Sequence, residues 1–177
     1  MTTSSHVYEL FCGRSLYLAY YTDVKSSASL LHKILSNELN VALINADTVV
    51  SLFQIHAAAS RALLSVQNHS MTTNSLHSEL VFNLSGTRNV TDSLRRFGIS
   101  NQATQVLVCV FDDATALDTV GIDGVLKPVT SIENHAHLTP EHIQVLKKHY
   151  KIQDLELQVT TLSDAIVSRI ATKNVNK

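Results

Sequence analysis

The stretch LHSELVFNLSGTRNVTDSLRRFGIS, residues 76–100, decides how the chain is read. In its opening segment, 76–85, Leu80, Phe82 and Leu84 fall at every second position. That is the period of a strand with one buried face, and it predicts a strand there. Further on, Asn89 is a good N-cap and Gly98 a good C-terminal stop, which predicts a short helix over 90–97. The joint between them is a tight turn that holds Gly86, Thr87 and Arg88. Such a joint is either an ordinary surface cap or an anion site, because a helix N-terminus presents unpaired N–H groups and partial positive charge. Arg88 offers a fork that matches phosphate, and Arg95 and Arg96 follow on the helix.

Working outward, SLYLAYY (15–21) reads as a buried strand. Asp23 is the expected cap of a helix with Val24, Leu30, Leu31, Ile34 and Leu35 at helical spacing. NVALIN (40–45) is too short to assign. Asp47 is the expected cap of a long helix over 48–67, apolar on most faces and therefore central to the fold. QVLVCVF (105–111) is a near-continuous β-branched run, the pattern of a strand buried on both faces. Residues 112–138 are mixed, broken by Gly121, Gly124 and Pro128. Thr139-Pro140-Glu141 combines a cap, a proline at the first helical position and an acid in the first turn, and opens a helix to about Tyr150. A last helix is expected over 155–172, with Leu155, Val159, Leu162, Ile166 and Ile170 as its stripe. Strands and helices alternate without a βαβ repeat. The expectation is one α/β (α+β) domain over 1–177, a sheet of about four or five strands packed with several helices, and not a doubly wound nucleotide fold.

The 177 residues are 45% hydrophobic and 16% charged with a net charge of -1, so the chain is globular and any nucleic-acid contact must come from a local patch. Cys12 and Cys109 lie far apart, as in a reducing compartment. The opening MTTSSHVYELF has no basic region followed by an apolar run, and no stretch approaches a membrane span. Cytoplasm and nucleus are the expected setting, with no membrane.

Chemistry-bearing motifs are scarce. The sequence contains no phosphate-binding glycine loop, no dinucleotide fingerprint and no nucleophile elbow. Cys109 sits inside VLVCVF and reads as an inert core thiol. The nine histidines include one loose cluster, His135, His137 and His142, with Glu133 and Glu141 nearby. A polar loop running into a capped helix explains that cluster better than a zinc site, so no metal and no cofactor are expected. Nothing marks the chain as an enzyme.

SELVFNLSGTRNVTDSLRRFGIS (78–100) resembles the signature of the TPRKB family, the kinase-binding subunits of the KEOPS (EKC) complex. YTDVKSS (21–27), ALINADTVVSLFQIHAAASRAL (42–63), LKKHYKI (146–152) and LSDAIVSRIATKNV (162–175) resemble further family stretches, in order and at family-like spacing. The resemblance implies a non-catalytic subunit that binds the small atypical kinase of KEOPS directly and meets the transferase and other subunits indirectly. It also implies support of tRNA threonylcarbamoyladenosine modification, by helping to hold the tRNA 3′ end. Family members carry basic residues before the second conserved segment, where this chain has Ser70, Thr72 and Asn74. Each missing phosphate contact lowers RNA affinity and its salt dependence. The remaining tRNA-contact candidates are Gly86, Arg88, Asn89, Arg95, Arg96, Lys147 and Lys148, with Lys173. Apolar residues on the last helix, Leu162, Ile166, Val167, Ile170 and Ala171, are the candidates for the kinase interface. A stand-alone RNA-end or phosphate-binding module, and a small metal-dependent hydrolase, are the competing readings.

Overall fold

The computed structural model describes residues 2–175. Its frame is an antiparallel sheet of β1 (Thr3–Tyr8), β2 (Arg14–Thr22), β4 (Val106–Phe111) and β3 (Ala42–Asn45), in that spatial order. A short β5 (Val125–Lys127) pairs with the end of β2, in line with β1. The expected strands at 15–21 and 105–111 are the two central ones, β2 and β4, paired Leu16 to Phe111 through Tyr21 to Val106. The unassigned 40–45 segment supplies the edge strand β3.

Side-chain alternation along these strands divides the core in two. Leu16, Leu18, Tyr20, Ala42, Ile44, Leu107, Cys109 and Phe111 face one side. Ala19, Leu43, Val106, Val108 and Val110 face the other. The second face is covered by α1 (Ser27–Leu35) through Leu30 and by α5 (Ala116–Thr119) through Leu117. The first face carries the larger layer: α2 (Leu52–Gln67), α3 (Leu76–Leu84), α6 (Pro140–Tyr150) and α7 (Leu162–Thr172). Between α3 and β4 lies α4 (Val90–Phe97), which buries Phe97.

Several expectations are corrected. The 76–85 segment is the helix α3, not a strand. Ser75 caps it by accepting from the Ser78 N–H at 3.1 Å. Residues 79–85 are all buried, so the alternation of Leu80, Phe82 and Leu84 marked no single face. Asp23 is not a cap but adopts a left-handed backbone (φ 54°), and α1 begins after Ser26. Asp47 lies in a one-turn 3-10 segment, and α2 starts later, capped by Ser51. The last helix starts at Leu162 behind the cap Thr161. Leu155 and Val159, expected in its core stripe, are 70% and 87% exposed on the preceding loop. The 90–97 and 140–150 helices have the expected bounds, each with its expected N-cap.

Candidate functional site

The turn after α3 is held by bonds among its own residues and by the end of α6. Gly86 passes so close to the Tyr150 ring that an added Cβ would lie 3.1 Å from its Cδ1. The Gly86 N–H donates to His149 Nε2 (3.2 Å), and the same nitrogen lies 3.1 Å from the Ser85 hydroxyl. The Thr87 N–H donates to Ser85 Oγ and the Asn89 N–H to Thr87 Oγ1. Asn89 Oδ1 accepts from the Asp92 N–H at 3.0 Å and so caps α4. The His149 ring packs edge-on against Phe97 and Tyr150. Because its Nε2 accepts a backbone N–H, the imidazole is held neutral, and burial and the Arg96 charge both lower its pKa.

The cationic candidates at this turn have protein partners. Arg88 donates from Nε and Nη2 to the Lys173 carbonyl, both at 3.4 Å, and from Nη2 to the Asn174 carbonyl at 3.3 Å. Arg95 and Arg96 both pair with Asp92, at 2.8 Å each. Their hydrogen bonds lower the pKa of the Asp92 carboxyl, which keeps an anion beside the N-terminus of α4. The turn therefore pins the end of α7 to the start of α4, and the geometry gives it a structural job. Lys173 is a correction: it is 4% exposed and lies inside the molecule. Lys147 pairs with Asp154, while Lys148 is exposed. Lys147, Lys148 and Lys151 line one open basin of about 480 Å³ at the end of α6, away from the turn. Sequence reasoning missed Lys151, whose left-handed C-cap geometry (φ 55°) ends that helix.

The five apolar candidates on α7 divide by burial. Ile166 and Ile170 are fully buried in the core, so they form no part of a surface and support it from beneath. Leu162 is half-buried and packs on the same core. Val167 is half-buried and Ala171, four residues on along the same face, is exposed, while Val175, 75% exposed, lies beyond the end of α7. Helix α7 packs along α2, where Phe53 and Leu64 are exposed at 55% and 42%.

Two histidines away from the loose cluster make bonds within the fold. His56 Nδ1 lies 2.8 Å from the Tyr8 hydroxyl, and burial lowers its pKa to about 4. His77 accepts the Phe111 N–H at Nε2 (3.1 Å) and meets Asn40 Oδ1 at Nδ1 (3.0 Å), and burial lowers its pKa to about 4 as well. The loose cluster is dispersed among separate contacts. His135 caps a 3-10 segment with a left-handed backbone, and His137 Nε2 bonds the Val49 carbonyl. His142 completes the capping box of α6 with Thr139 and stands 3.7 Å from Asp47. Among the described residues, no three His, Cys, Asp or Glu side chains converge as a metal site. Cys109 is fully buried, and burial pushes its thiol pKa far up, as expected of an inert core thiol.

Residues 21–174 match the family model described as "Kinase binding protein CGI-121". The chain is 34% identical over 169 residues to the EKC/KEOPS complex subunit TPRKB of Danio rerio, covering 94% of this chain and 95% of that one. It is 35% identical over 137 residues to the EKC/KEOPS complex subunit CGI121 of Yarrowia lipolytica, covering 76% and 78%. Against the subunit of the same name from Eremothecium gossypii, identity is 28% over 168 residues, covering 90% and 93%.

Proposed function

The chain belongs to the CGI-121 family of kinase binding proteins, and from that premise we propose that it is a non-catalytic subunit of an EKC/KEOPS complex. It binds the small atypical kinase of the complex directly, meets the transferase and other subunits through it, and supports threonylcarbamoyladenosine modification of tRNA. The observation that carries this reading is similarity sustained over nearly the whole chain to subunits bearing that name. The chemistry of the interior agrees. The buried thiol is inert, and His56, His77, His137 and His149 are engaged in bonds that hold the fold.

The kinase docks on the outer line of α7, Val167 and Ala171, with Val175 just beyond its end, over a base held rigid by Ile166 and Ile170. An apolar helical face backed by packed core suits a protein interface, where a few well-supported side chains carry most of the affinity. RNA contact falls to the lysine basin at the end of α6, where Lys148 and Lys151 are exposed, since the arginines of the turn have carboxylate and carbonyl partners. Titrating the purified kinase into the chain by calorimetry tests the docking face. Val167→Arg should cut affinity at least about tenfold, the equivalent of about 1.4 kcal/mol, with an unchanged melting temperature. Normal binding by a folded Val167→Arg would move the interface elsewhere.

A further inference from the structure

Lys173, at the C-cap of α7, is the one lysine among the buried residues described. Its Nζ donates to the Phe82 carbonyl in the last turn of α3 and stands 3.4 Å from the centre of the Phe82 ring. The charges felt there come from three directions. Arg61 reaches in from α2 and donates to the Ala171 carbonyl at 2.9 Å. Glu79 lies on α3, its oxygens already taken by the Thr72 and Thr73 N–H groups and the Thr73 hydroxyl. His149 approaches from α6, neutral and with its Nε2 on Gly86. Arg88 closes the fourth side by gripping the carbonyl of Lys173 itself. The pocket thus holds two permanent cations and one carboxylate.

An ammonium brings three donors and a full charge. The Phe82 carbonyl takes one donor and the ring face favours the charge, but burial and the neighbouring arginine oppose it more strongly. A neutral amine keeps its bond to Phe82 and loses the penalty. We propose that the Lys173 side chain is a proton-operated latch on the last turn of α7: neutral, it stays docked on α3; protonated, it opens to solvent more often and the turn loosens. Burial places its titration at about pH 7, inside the range over which a cell compartment varies. Release would also slacken the Arg88 and Arg61 bonds to the carbonyls of residues 171–174. Its consequence for kinase docking, weaker binding in acid, rests on the reading of α7 given above; the latch itself does not.

The test therefore uses the free chain. The Lys173 ¹³Cε resonance should titrate with a midpoint near 7. Amide exchange of residues 172–175, corrected for its intrinsic pH dependence, should lose about tenfold in protection between pH 8 and pH 6. That factor follows from linkage for a group whose pKa is about 7 when docked and about 10.4 when released. Lys173→Met should abolish the dependence. A Lys173 midpoint above pH 10 with the other lysines overturns the proposal, and this readout stands even if the Met variant fails to fold. A pH dependence that persists in a folded Lys173→Met would assign the effect to His149 and equally overturn it.

Discussion

Replacing Arg88 by alanine separates a structural turn from an RNA-binding one. In the folded chain the guanidinium bridges from the start of α4 to the Lys173 and Asn174 carbonyls at the end of α7. At 3.3–3.4 Å these bonds lie beyond the usual hydrogen-bond range, and Arg88 is exposed, so solvent screens them. Each belongs at the low end of the ~0.5–1.5 kcal/mol net value of a protein hydrogen bond. The set is worth about 1 kcal/mol, and in a chain of this size that lowers the melting temperature by about 2–4 °C. Calorimetric melting of Arg88→Ala should show that drop, and amide exchange should show the loss concentrated at residues 172–175. Binding of tRNA by Arg88→Ala should match the parent. An unchanged melting temperature together with a selective loss of tRNA affinity would refute the structural assignment and make the turn an anion site after all.

Three other outcomes follow from the geometry. Gly86→Ala drives a Cβ to 3.1 Å from the fully packed Tyr150 ring, so urea denaturation should show a loss of about 1–3 kcal/mol. A loss below about 0.5 kcal/mol would mean that the ring can give way. His56 and His77 are held neutral with pKa values lowered to about 4, so below about pH 6.5 the unfolded chain takes up protons that the folded chain refuses. Stability should fall as pH drops from about 6.5 to 4 and level off below, and His77→Asn should remove part of that slope; a flat urea midpoint across the window would contradict both assignments. A thiol reagent should modify the exposed Cys12 in the native protein and reach the buried Cys109 only after unfolding. Two fast thiols in the native state would show the core to be open.

What could be read from the sequence was what local chemistry alone decides. The two central strands are apolar on both faces whatever lies around them, and Asn89, Gly98, Thr139 and Pro140 fix helix ends through their own backbone and side-chain geometry. The error at 76–85 came from a helix buried on every side. When residues 79–85 are all enclosed, apolar spacing loses its meaning, and Leu80, Phe82 and Leu84 imitate a strand. A signal was present: Ser75 sits three residues before Ser78, at cap spacing, and Glu79 is an unusual choice inside a buried strand. The edge strand β1 escaped notice because TSSHVY is polar and mostly exposed. Leu155 and Val159 kept helical phase with Leu162 by coincidence across the start of the helix at Thr161, which is its cap.

The site was less legible than the fold, because a charge count says nothing of partners. Arg88, Arg95, Arg96 and Lys173 are all basic in sequence. In the structure two are matched by Asp92, one ties down a helix end, and one is buried against an aromatic ring. Ile166 and Val167 likewise look alike on paper, yet one is fully buried and the other half-exposed on α7.

The central claim is that this chain works by binding a kinase inside a larger assembly. The most direct test is to tag the protein in its own host at native expression and identify what is recovered with it under mild salt. A small atypical kinase should come down in stoichiometric amount with the transferase in its company, and both should be lost together in Val167→Arg. Recovery of the transferase without the kinase, or of neither, would contradict the claim.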